Sequence, residues 1–179
     1  MKNKIRRINL FSGSGAGKSR CAAYIFSELK SRHLKIEYVT EYIKFWTYIP
    51  RFPKSFDSFY VTAKQVYHED TILRGGMDYV ISDSPLLLHY FYTAHHKAPA
   101  QLPILDVCKE MEREYPSLNL FINRIDENFS TVGRYENLEE AKEIDIKVKV
   151  LLEAEGIQYK EFGCDDKDNM VEYVYENII

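Results

Sequence analysis

The amino-acid sequence predicts an α/β domain in which a parallel sheet lies between two layers of helices. Short apolar segments alternate with segments of helical periodicity along the whole chain, and a glycine-rich turn follows the first apolar segment. This alternation is typical of parallel sheets, because each crossover between parallel strands needs a helix. The 179 residues suit a single core, so we expect residues 1–179 to form one domain. We expect its ligand at the carboxyl ends of the strands.

The predicted elements follow in order along the chain. The strands are 4–11, 36–40, 79–82, 119–123 and 157–162. The helices are 17–32, 58–74, 85–97, 102–114, a long one beginning near Leu138, and 167–178. Gly156 is a typical residue to end the long helix. We expect residues 41–57 to be partly irregular because they contain Pro50 and Pro53, and residues 125–136 to form a polar loop.

Composition restricts the class of function. The chain has 24 Lys and Arg against 27 Asp and Glu, a net charge of −3, whereas proteins that grip long stretches of duplex nucleic acid usually carry a basic surplus. No apolar run approaches the ~18 residues of a membrane span, and no apolar segment follows the basic N-terminus as it would in a secretory signal. Cys21, Cys108 and Cys164 show no C-x-x-C spacing and are expected to be reduced thiols. We therefore expect a cytoplasmic protein.

The strongest motif is Gly13-Ser-Gly-Ala-Gly-Lys-Ser19, between the first strand and the first helix. Its glycines let backbone N–H groups turn toward phosphate oxygens, and the helix dipole adds positive partial charge at the same place. Lys18 supplies a charge to the β- and γ-phosphates, and the Ser19 hydroxyl suits Mg²⁺. We predict that the phosphates of ATP bind to Gly13, Ser14, Gly15, Ala16, Gly17, Lys18, Ser19 and Arg20. The alternative is a glycine-rich turn that binds nothing.

Two further positions bear on this motif. In G-x-x-x-x-G-K-[ST] the first glycine would stand at position 12, where this chain has Ser12. The loop keeps its form if the backbone of Ser12 lies outside the region that only glycine adopts. Asp83 follows a short apolar strand, as does the acidic residue that positions Mg²⁺ in other P-loop proteins. We predict Ser19 and Asp83 as the Mg²⁺ site, with capping of the next helix as the alternative role of Asp83.

The length and motifs favour a kinase or a small ATPase. The chain has no room for the modules of helicases or transporters, and it lacks the guanine-reading N-K-x-D motif of GTPases. Glu41, after the second strand, is suited to accept or orient the proton of an acceptor hydroxyl. Tyr42 and Trp46 are suited to wall a ring-shaped substrate by stacking. Alternatively, Glu41 is a solvated residue at a helix start and the aromatic side chains belong to the core.

Several other side chains are candidates for the site. Gln65 has an amide that could read a base edge, with a surface glutamine as the alternative. Arg124 and Arg134 flank the polar loop, and we predict a mobile lid over about 124–136 that brings their charge to the transferred phosphoryl group. Ordinary surface arginines are the alternative to the lid. Phe162, at the end of the last strand, is a candidate neighbour of the adenine ring.

Several segments, taken in order, resemble a known family. They are Ile8-Asn-Leu-Phe-Ser-Gly-Ser-Gly-Ala-Gly-Lys-Ser, Val39-Thr-Glu-Tyr, Val80-Ile-Ser-Asp-Ser-Pro-Leu-Leu-Leu, Asn123-Arg, Gly133-Arg, Glu140-Ala and Ile144-Asp. Together they resemble the small P-loop ATPase and nucleotide-kinase proteins that bacteriophages often encode, which are related to the kinase domain of NadR. The resemblance covers nearly the whole chain, and its most specific parts are the T-E-Y and D-S-P-L-L-L segments.

The resemblance implies a nucleoside/nucleotide-kinase-like fold, a three-layer α/β/α sandwich with a five-stranded parallel sheet. In related deoxynucleoside kinases a glutamate after the second strand is the base toward the sugar hydroxyl, and Glu41 has that position. Gln65 is similar to their base-reading glutamine, and Arg124 and Arg134 to their lid arginines. We predict an ATP- and Mg²⁺-dependent kinase that acts on a nucleoside, a nucleotide or a related small acceptor. The alternatives are a kinase of DNA ends or hydroxymethylated bases, and a nucleotide-binding ATPase or regulatory module.

Overall fold

The computed structural model describes residues 4–49, 52–125 and 135–179. Its centre is a sheet of five strands, which are β1 (Arg7–Phe11), β2 (Ile36–Val39), β3 (Tyr79–Ser82), β4 (Ser117–Asn123) and β5 (Lys160–Gly163). Their order across the sheet is β2-β3-β1-β4-β5, and every neighbouring pair is parallel. The predicted five-stranded parallel sheet is therefore confirmed.

Helices cover both faces of the sheet and make a three-layer α/β/α fold. They are α1 (Lys18–Ser31), α2 (Asp57–Arg74), α3 (Leu86–His95), α4 (Gln101–Glu114), α5 (Leu138–Ala154) and α6 (Lys167–Ile178). A short 3₁₀ helix, Ile43–Tyr48, follows β2. Helices α1 and α6 pack on one face, and α2 to α5 pack on the other. The predicted alternation of strands and helices is thus present in the same order.

Both faces of the central strand β1 are buried, although the two faces differ in polarity. Ile8 and Leu10 are fully buried in the cluster formed with α1 and α6. Phe11 points to the other face and packs with residues of α3 and α5, among them Leu88 and Val148. Arg7 and Asn9 share this second face and are also buried, with 3% and 5% of their surface exposed, so the polar residues of the strand need partners inside the protein.

The structure corrects the bounds of three predicted strands. β1 begins at Arg7 rather than residue 4, β4 at Ser117 rather than residue 119, and β5 at Lys160 rather than residue 157. The later start of β5 follows from the way α5 ends. Gly156 has a φ of +67°, and the Ile157 N–H donates to the Leu152 carbonyl at 2.8 Å, so the chain completes a helix-ending turn before it extends. The predicted role of Gly156 is confirmed.

The state of the three cysteines agrees with the prediction of free thiols. Cys21, Cys108 and Cys164 are free and buried. Burial raises the pKa of the Cys21 thiol to about 11 and that of the Cys108 thiol to about 12, so both are protonated near neutral pH. Within the described segments, no helix combines the length and the apolar character needed to cross a bilayer.

A buried ion pair lies in the layer between the sheet and helices α2 and α4. Arg7 is only 3% exposed, and its Nε donates to the Tyr115 carbonyl at 2.7 Å while Nη2 donates to Glu112 Oε2 at 2.5 Å. Its Nη1 lies 3.6 Å from Glu69 Oε2. Burial raises the pKa of the Glu69 carboxyl, and the Arg7 guanidinium opposes that shift. Because both groups are removed from water, each depends on the other for electrostatic compensation.

Removal of Arg7 is expected to destabilise the fold strongly. Arg7→Ala leaves the buried Glu69 without its counter-charge and should lower the free energy of unfolding by about 3–5 kcal/mol. The matched control is Arg113→Ala, because Arg113 pairs with Glu110 while its side chain is 70% exposed, and exposed pairs contribute about 0–1 kcal/mol. Urea denaturation of both variants measures the difference. Equally small losses would show that the Arg7–Glu69 contact does not stabilise the protein.

Candidate active site

The phosphate loop joins the end of β1 to the start of α1. Gly15 and Gly17 have φ angles of +77° and +97°, in the left-handed region that favours glycine. Gly17 is the N-cap of α1, so the N–H groups of the first helical turn, which have no partner within the helix, face the loop. Ser12 is fully buried and its φ is not positive, so a serine is accepted at the position of the usual first glycine without backbone strain.

Gly13 is required for a different reason, which is its close approach to α5. A Cβ atom at position 13 would lie 2.7 Å from the carbonyl oxygen of Ala141 and 3.0 Å from Asp145 Oδ1. The Gly13 N–H donates to the same Asp145 Oδ1 at 2.5 Å. The loop is therefore held directly against α5, at a separation that leaves no room for a side chain.

Arg124, just beyond β4, completes this attachment. Its Nε donates to Asp145 Oδ2 at 2.5 Å, and its Nη1 and Nη2 donate to the carbonyls of Ser14 and Ala141, both at 3.1 Å. The side chain is 7% exposed. Arg124 is thus neither an ordinary surface arginine nor solvent-facing, and it holds the phosphate loop and α5 together. Arg134 and residues 126–134 of the predicted lid lie outside the described residues.

Lys18 lies in the loop among acidic side chains. Its Nζ donates to the carbonyls of Ser12 and Gly13, both at 2.8 Å. Burial lowers the pKa of the ammonium, whereas the carboxylates of Glu41, Asp83 and Asp145 raise it. A partly desolvated cation interacts more strongly with charges placed near it, so this position favours an anionic ligand.

Ser19 and Asp83 meet as predicted, and they leave an unsatisfied oxygen between them. The Ser19 hydroxyl donates to Asp83 Oδ2. Asp83 is 3% exposed, and its Oδ1 has no hydrogen-bond partner among the described residues, nor does the buried Ser14 Oγ in the same loop. Burial and the nearby Asp83 carboxylate raise the pKa of the Tyr38 hydroxyl on β2. Buried acceptors left without a partner cost about 1–3 kcal/mol each, so a cation or donor bound here is favoured.

Glu41 lies beside the loop, two residues after the end of β2. It is half-buried, and burial raises the pKa of its carboxyl. The Lys18 ammonium opposes this shift and the Asp83 carboxylate reinforces it. Glu41 is therefore close enough to Lys18 and Asp83 for their charges to act on its carboxyl, and its role toward an acceptor stays a prediction. A carboxyl group whose pKa is raised toward neutrality is suited to accept a proton.

The two aromatic residues predicted beside Glu41 differ in exposure. Tyr42 is half-buried, its hydroxyl lies 3.0 Å from that of Tyr60, and the two rings meet edge to face. Trp46 is 5% exposed, so its ring belongs to the packing behind the 3₁₀ helix. The role of Tyr42 as a wall of the site therefore stays a prediction, whereas the burial of Trp46 agrees with the core alternative.

Gln65 is not the surface glutamine of the alternative, and its reading of a base edge stays a prediction, since its Oε1 has no hydrogen-bond partner among the described residues. Its side chain is fully buried, and its Nε2 donates to Glu69 Oε1 at 2.8 Å and to Ser82 Oγ at 3.1 Å. Ser82 is the last residue of β3, and its Oγ also accepts the Ser84 N–H at 3.1 Å. The observed role of Gln65 is to hold the strand end from which Asp83 projects.

Arg20 and Phe162 also make contacts other than the predicted ones. Arg20 is exposed, and its Nη2 donates to the Cys164 carbonyl at 2.9 Å and lies 3.2 Å from Asp165 Oδ1, so it links α1 to the turn after β5. Phe162 is buried, with its ring centroid 5.4 Å from that of Tyr173. Phe162 is thus a core residue rather than a neighbour of the nucleotide.

Sequence reasoning assigned no role to Asp145 and Tyr92, which the structure brings to the site. Tyr92 on α3 is half-buried, and burial raises the pKa of its hydroxyl well above the ordinary value. Glu136, Glu41 and Asp145 reinforce this shift and Arg124 opposes it, so the hydroxyl lies among the charged groups of the site. No motif marks Tyr92. For Asp145 the Ile144-Asp segment in the family resemblance was the available signal.

The three-layer fold and the phosphate loop together define a P-loop domain. A family profile described as an AAA domain matches residues 7–166, and the chain belongs to that family. No curated protein matches the sequence.

Solved structures show similarity over nearly the whole chain. One is a mutant of the APS kinase CysC from Mycobacterium tuberculosis, with a TM-score of 0.52, 12% identity, and coverage of 98% of this chain and 97% of that chain. Another is the crystal structure of APE1195, with a TM-score of 0.53, 14% identity, and coverage of 98% and 95%. At these identities the similarity shows the fold.

A methyl group at position 13 is expected to destabilise the protein. Gly13→Ala places Cβ against the Ala141 carbonyl and should lower the free energy of unfolding by about 1–3 kcal/mol, because the loop or α5 must move. Gly163→Ala is the matched control, since a Cβ at position 163 meets no atom within 4 Å. Urea denaturation compares them. If Gly13→Ala is no less stable than Gly163→Ala, the loop is not held against α5 as described.

Proposed function

We propose that this protein is an ATP- and Mg²⁺-dependent kinase that transfers a phosphoryl group to a hydroxyl of a nucleoside, a nucleotide or a related small acceptor. One arrangement carries the proposal: the Ser19 hydroxyl of the phosphate loop donates to Asp83, and Lys18 of the same loop is close enough to Glu41 for its charge to act on the ammonium. A nucleotide-hydrolysing switch needs the loop lysine and a carboxylate for the metal. Glu41, whose carboxyl has a raised pKa, supplies the additional proton acceptor that an acceptor hydroxyl needs.

Ser19 and Asp83 fit Mg²⁺. This ion prefers oxygen ligands and is usually held by one or two carboxylates, waters and substrate phosphates. Residues 4–49, 52–125 and 135–179 contain no group of three or more His, Cys, Asp or Glu side chains that could hold a metal alone. The partnerless Asp83 Oδ1 beside the Ser19 hydroxyl supplies the protein's share of such a site. When bound, Mg²⁺ neutralises part of the phosphate charge.

The chain's own side chains divide the remaining work. The N–H groups of the loop and the Lys18 ammonium bind the β- and γ-phosphates, for which Lys18 exchanges its present bonds to the Ser12 and Gly13 carbonyls. Glu41 accepts the proton of the acceptor hydroxyl while the hydroxyl oxygen bonds to the γ-phosphorus. The bond from that phosphorus to the β,γ-bridging oxygen breaks, and ADP leaves with the electron pair.

Two arginines are proposed to supply positive charge to the transferred group. Arg124 already lies against the loop, where it donates to the Ser14 carbonyl. Arg134 follows in the sequence at the far end of the predicted lid, 124–136, and we propose that it completes the charge around the phosphates.

The acceptor side of the site has aromatic walls. Tyr42 follows Glu41 directly and packs edge to face with Tyr60. Tyr92 brings a hydroxyl into the neighbourhood of Glu41. Aromatic faces and a hydroxyl donor near a proton-accepting carboxylate suit a planar ring attached to a hydroxyl-bearing sugar, which is the chemistry of a nucleoside or nucleotide.

Lys18→Ala is expected to abolish phosphoryl transfer and to leave the fold intact. We expect a rate loss of at least about 10²–10³-fold, because the variant lacks the charge that faces the transferred phosphate. The assay uses γ-labelled ATP, Mg²⁺ and separate nucleosides, nucleoside monophosphates and nicotinamide riboside. Lys30→Ala, on the exposed side of the same helix, is the matched control. Label that appears only as inorganic phosphate, with every acceptor, would contradict a kinase and favour a hydrolysing switch.

Glu41→Gln is expected to lower turnover by about 10²–10⁴-fold while changing ATP affinity little, because the amide cannot accept the proton. Burial raises the pKa of Glu41, and the ionised form is the active one, so the wild-type rate should rise with pH through a limb above the ordinary carboxyl range. That limb should disappear in Glu41→Gln and persist in Glu37→Gln, a more exposed glutamate on β2. Full turnover by Glu41→Gln would show that Glu41 is structural.

A further inference from the structure

Exposed aromatic side chains are concentrated in one part of the molecule. Among the described residues, every large aromatic side chain that is exposed lies in the segment 45–67 or at Tyr135. They are Phe45, Tyr48, Phe52, Phe56, Phe59, Tyr60, Tyr67 and Tyr135. We call residues 45–67 the aromatic segment. Single exposed apolar residues are normal on a protein, but a concentration of this kind marks an interaction site.

The aromatic segment follows Glu41 in the sequence and makes two ring contacts with residues near the candidate active site. It begins four residues after Glu41, and the contact of Tyr42 with Tyr60 joins the start of the 3₁₀ helix to α2. The ring of Phe52 lies 5.0 Å from that of Tyr135, which is two residues before the N-cap of α5, the helix that carries Asp145. A ligand bound along these rings therefore begins near the Glu41 carboxylate and does not lie on a remote face of the protein.

The charge of this region is opposite to that of the whole chain. The aromatic segment contains Arg51, Lys54 and Lys64 against one acidic residue, Asp57, and Lys44 directly precedes it, in a chain of net charge −3. Lys44 and Lys54 are exposed, and Lys64 Nζ lies 5.6 Å from the centre of the Tyr60 ring. Asp57 is half-buried, and its Oδ2 accepts the Lys54 N–H at 2.9 Å. The exposed charge among the rings is therefore positive, which favours an anionic partner.

We propose that the aromatic segment binds single-stranded nucleic acid and that a nucleotide of the bound strand is the acceptor. The proposal rests on the kinase function above and narrows its acceptor. Unpaired bases offer flat faces that stack on Phe and Tyr rings, and the phosphates between them pair with the lysines. The bond changes are those of the kinase step: the γ-phosphorus moves from the bridging oxygen of ATP to a hydroxyl of the strand, Glu41 takes the hydroxyl proton, and ADP is released.

The composition of the aromatic segment favours single-stranded nucleic acid over another protein or a nucleic-acid duplex. Among the exposed large apolar side chains of the segment, Ile49 is the single aliphatic one, whereas a surface for another protein usually mixes aromatic and aliphatic anchors. A duplex hides its base faces inside the helix and is gripped through extended basic surfaces, which the net charge of −3 does not supply. A single strand uses both features that are present, the open rings and the local lysines.

The test measures binding of a fluorescein-labelled single strand of about 20 nucleotides by fluorescence anisotropy, with the matching duplex alongside. Phe45→Ala, Phe52→Ala and Lys54→Glu should each raise Kd about tenfold, because stacking and phosphate contacts are lost. Leu102→Ala and Ile146→Ala are matched controls for the rings, since their side chains are 71% and 66% exposed outside the segment. Lys35→Glu, also exposed, is the control for charge. The controls should bind as the wild type does.

A second arm separates this inference from the kinase function. Phe52→Ala should phosphorylate a free nucleoside at the wild-type rate but should transfer less label from γ-labelled ATP to the strand. If free nucleosides are phosphorylated and the strand neither binds nor accepts label, the inference fails while the kinase function stands. If no acceptor takes label, both fail. Loss of self-association in sedimentation, or of binding to phosphatidylserine vesicles, without any change in strand binding would also overturn it.

Discussion

The carboxylate of Asp145 is the contact on which the phosphate loop depends. One oxygen accepts the Gly13 N–H and the other accepts Arg124 Nε, both at 2.5 Å. Arg124 in turn reaches the carbonyls of Ser14 and Ala141. A single side chain of α5 thus fixes the entry to the loop and a guanidinium beyond β4. Because hydrogen bonds to charged groups are stronger than neutral ones, this arrangement holds the loop in shape before a ligand arrives.

The opposite side of the site is supported by polar groups inside the core. Gln65 on α2 donates to Ser82 at the end of β3, and the Ser82 hydroxyl also accepts the N–H of Ser84. Asp83 stands between these two serines, and its Oδ1 has no hydrogen-bond partner in the part of the chain that the structure describes. That oxygen is therefore available to a cation or a donor bound in the site.

The fold could be predicted almost completely from the sequence, because periodicity and turn residues encode elements locally. The order of strands and helices, the phosphate loop and the meeting of Ser19 with Asp83 all follow from short-range patterns and one motif. The positions of Gln65, Trp46 and Phe162 could not be predicted, because burial depends on which helix packs over a residue. Asp145 was missed for a related reason: a lone acid beside an apolar helical stripe looks like a solvated residue until its distant partner is known.

The contact between Gly13 and Asp145 has a consequence for how the protein is made. The two residues are 132 positions apart in a chain that emerges from the ribosome N-terminus first. The nucleotide motif is thus synthesised well before the helix that gives it shape. Closing so long a loop costs conformational entropy that grows with its length, and it cannot begin before α5 exists. Until α5 has been synthesised, a nascent chain carries the complete motif without the anchored loop, so nucleotide binding matures together with the C-terminal part of the domain.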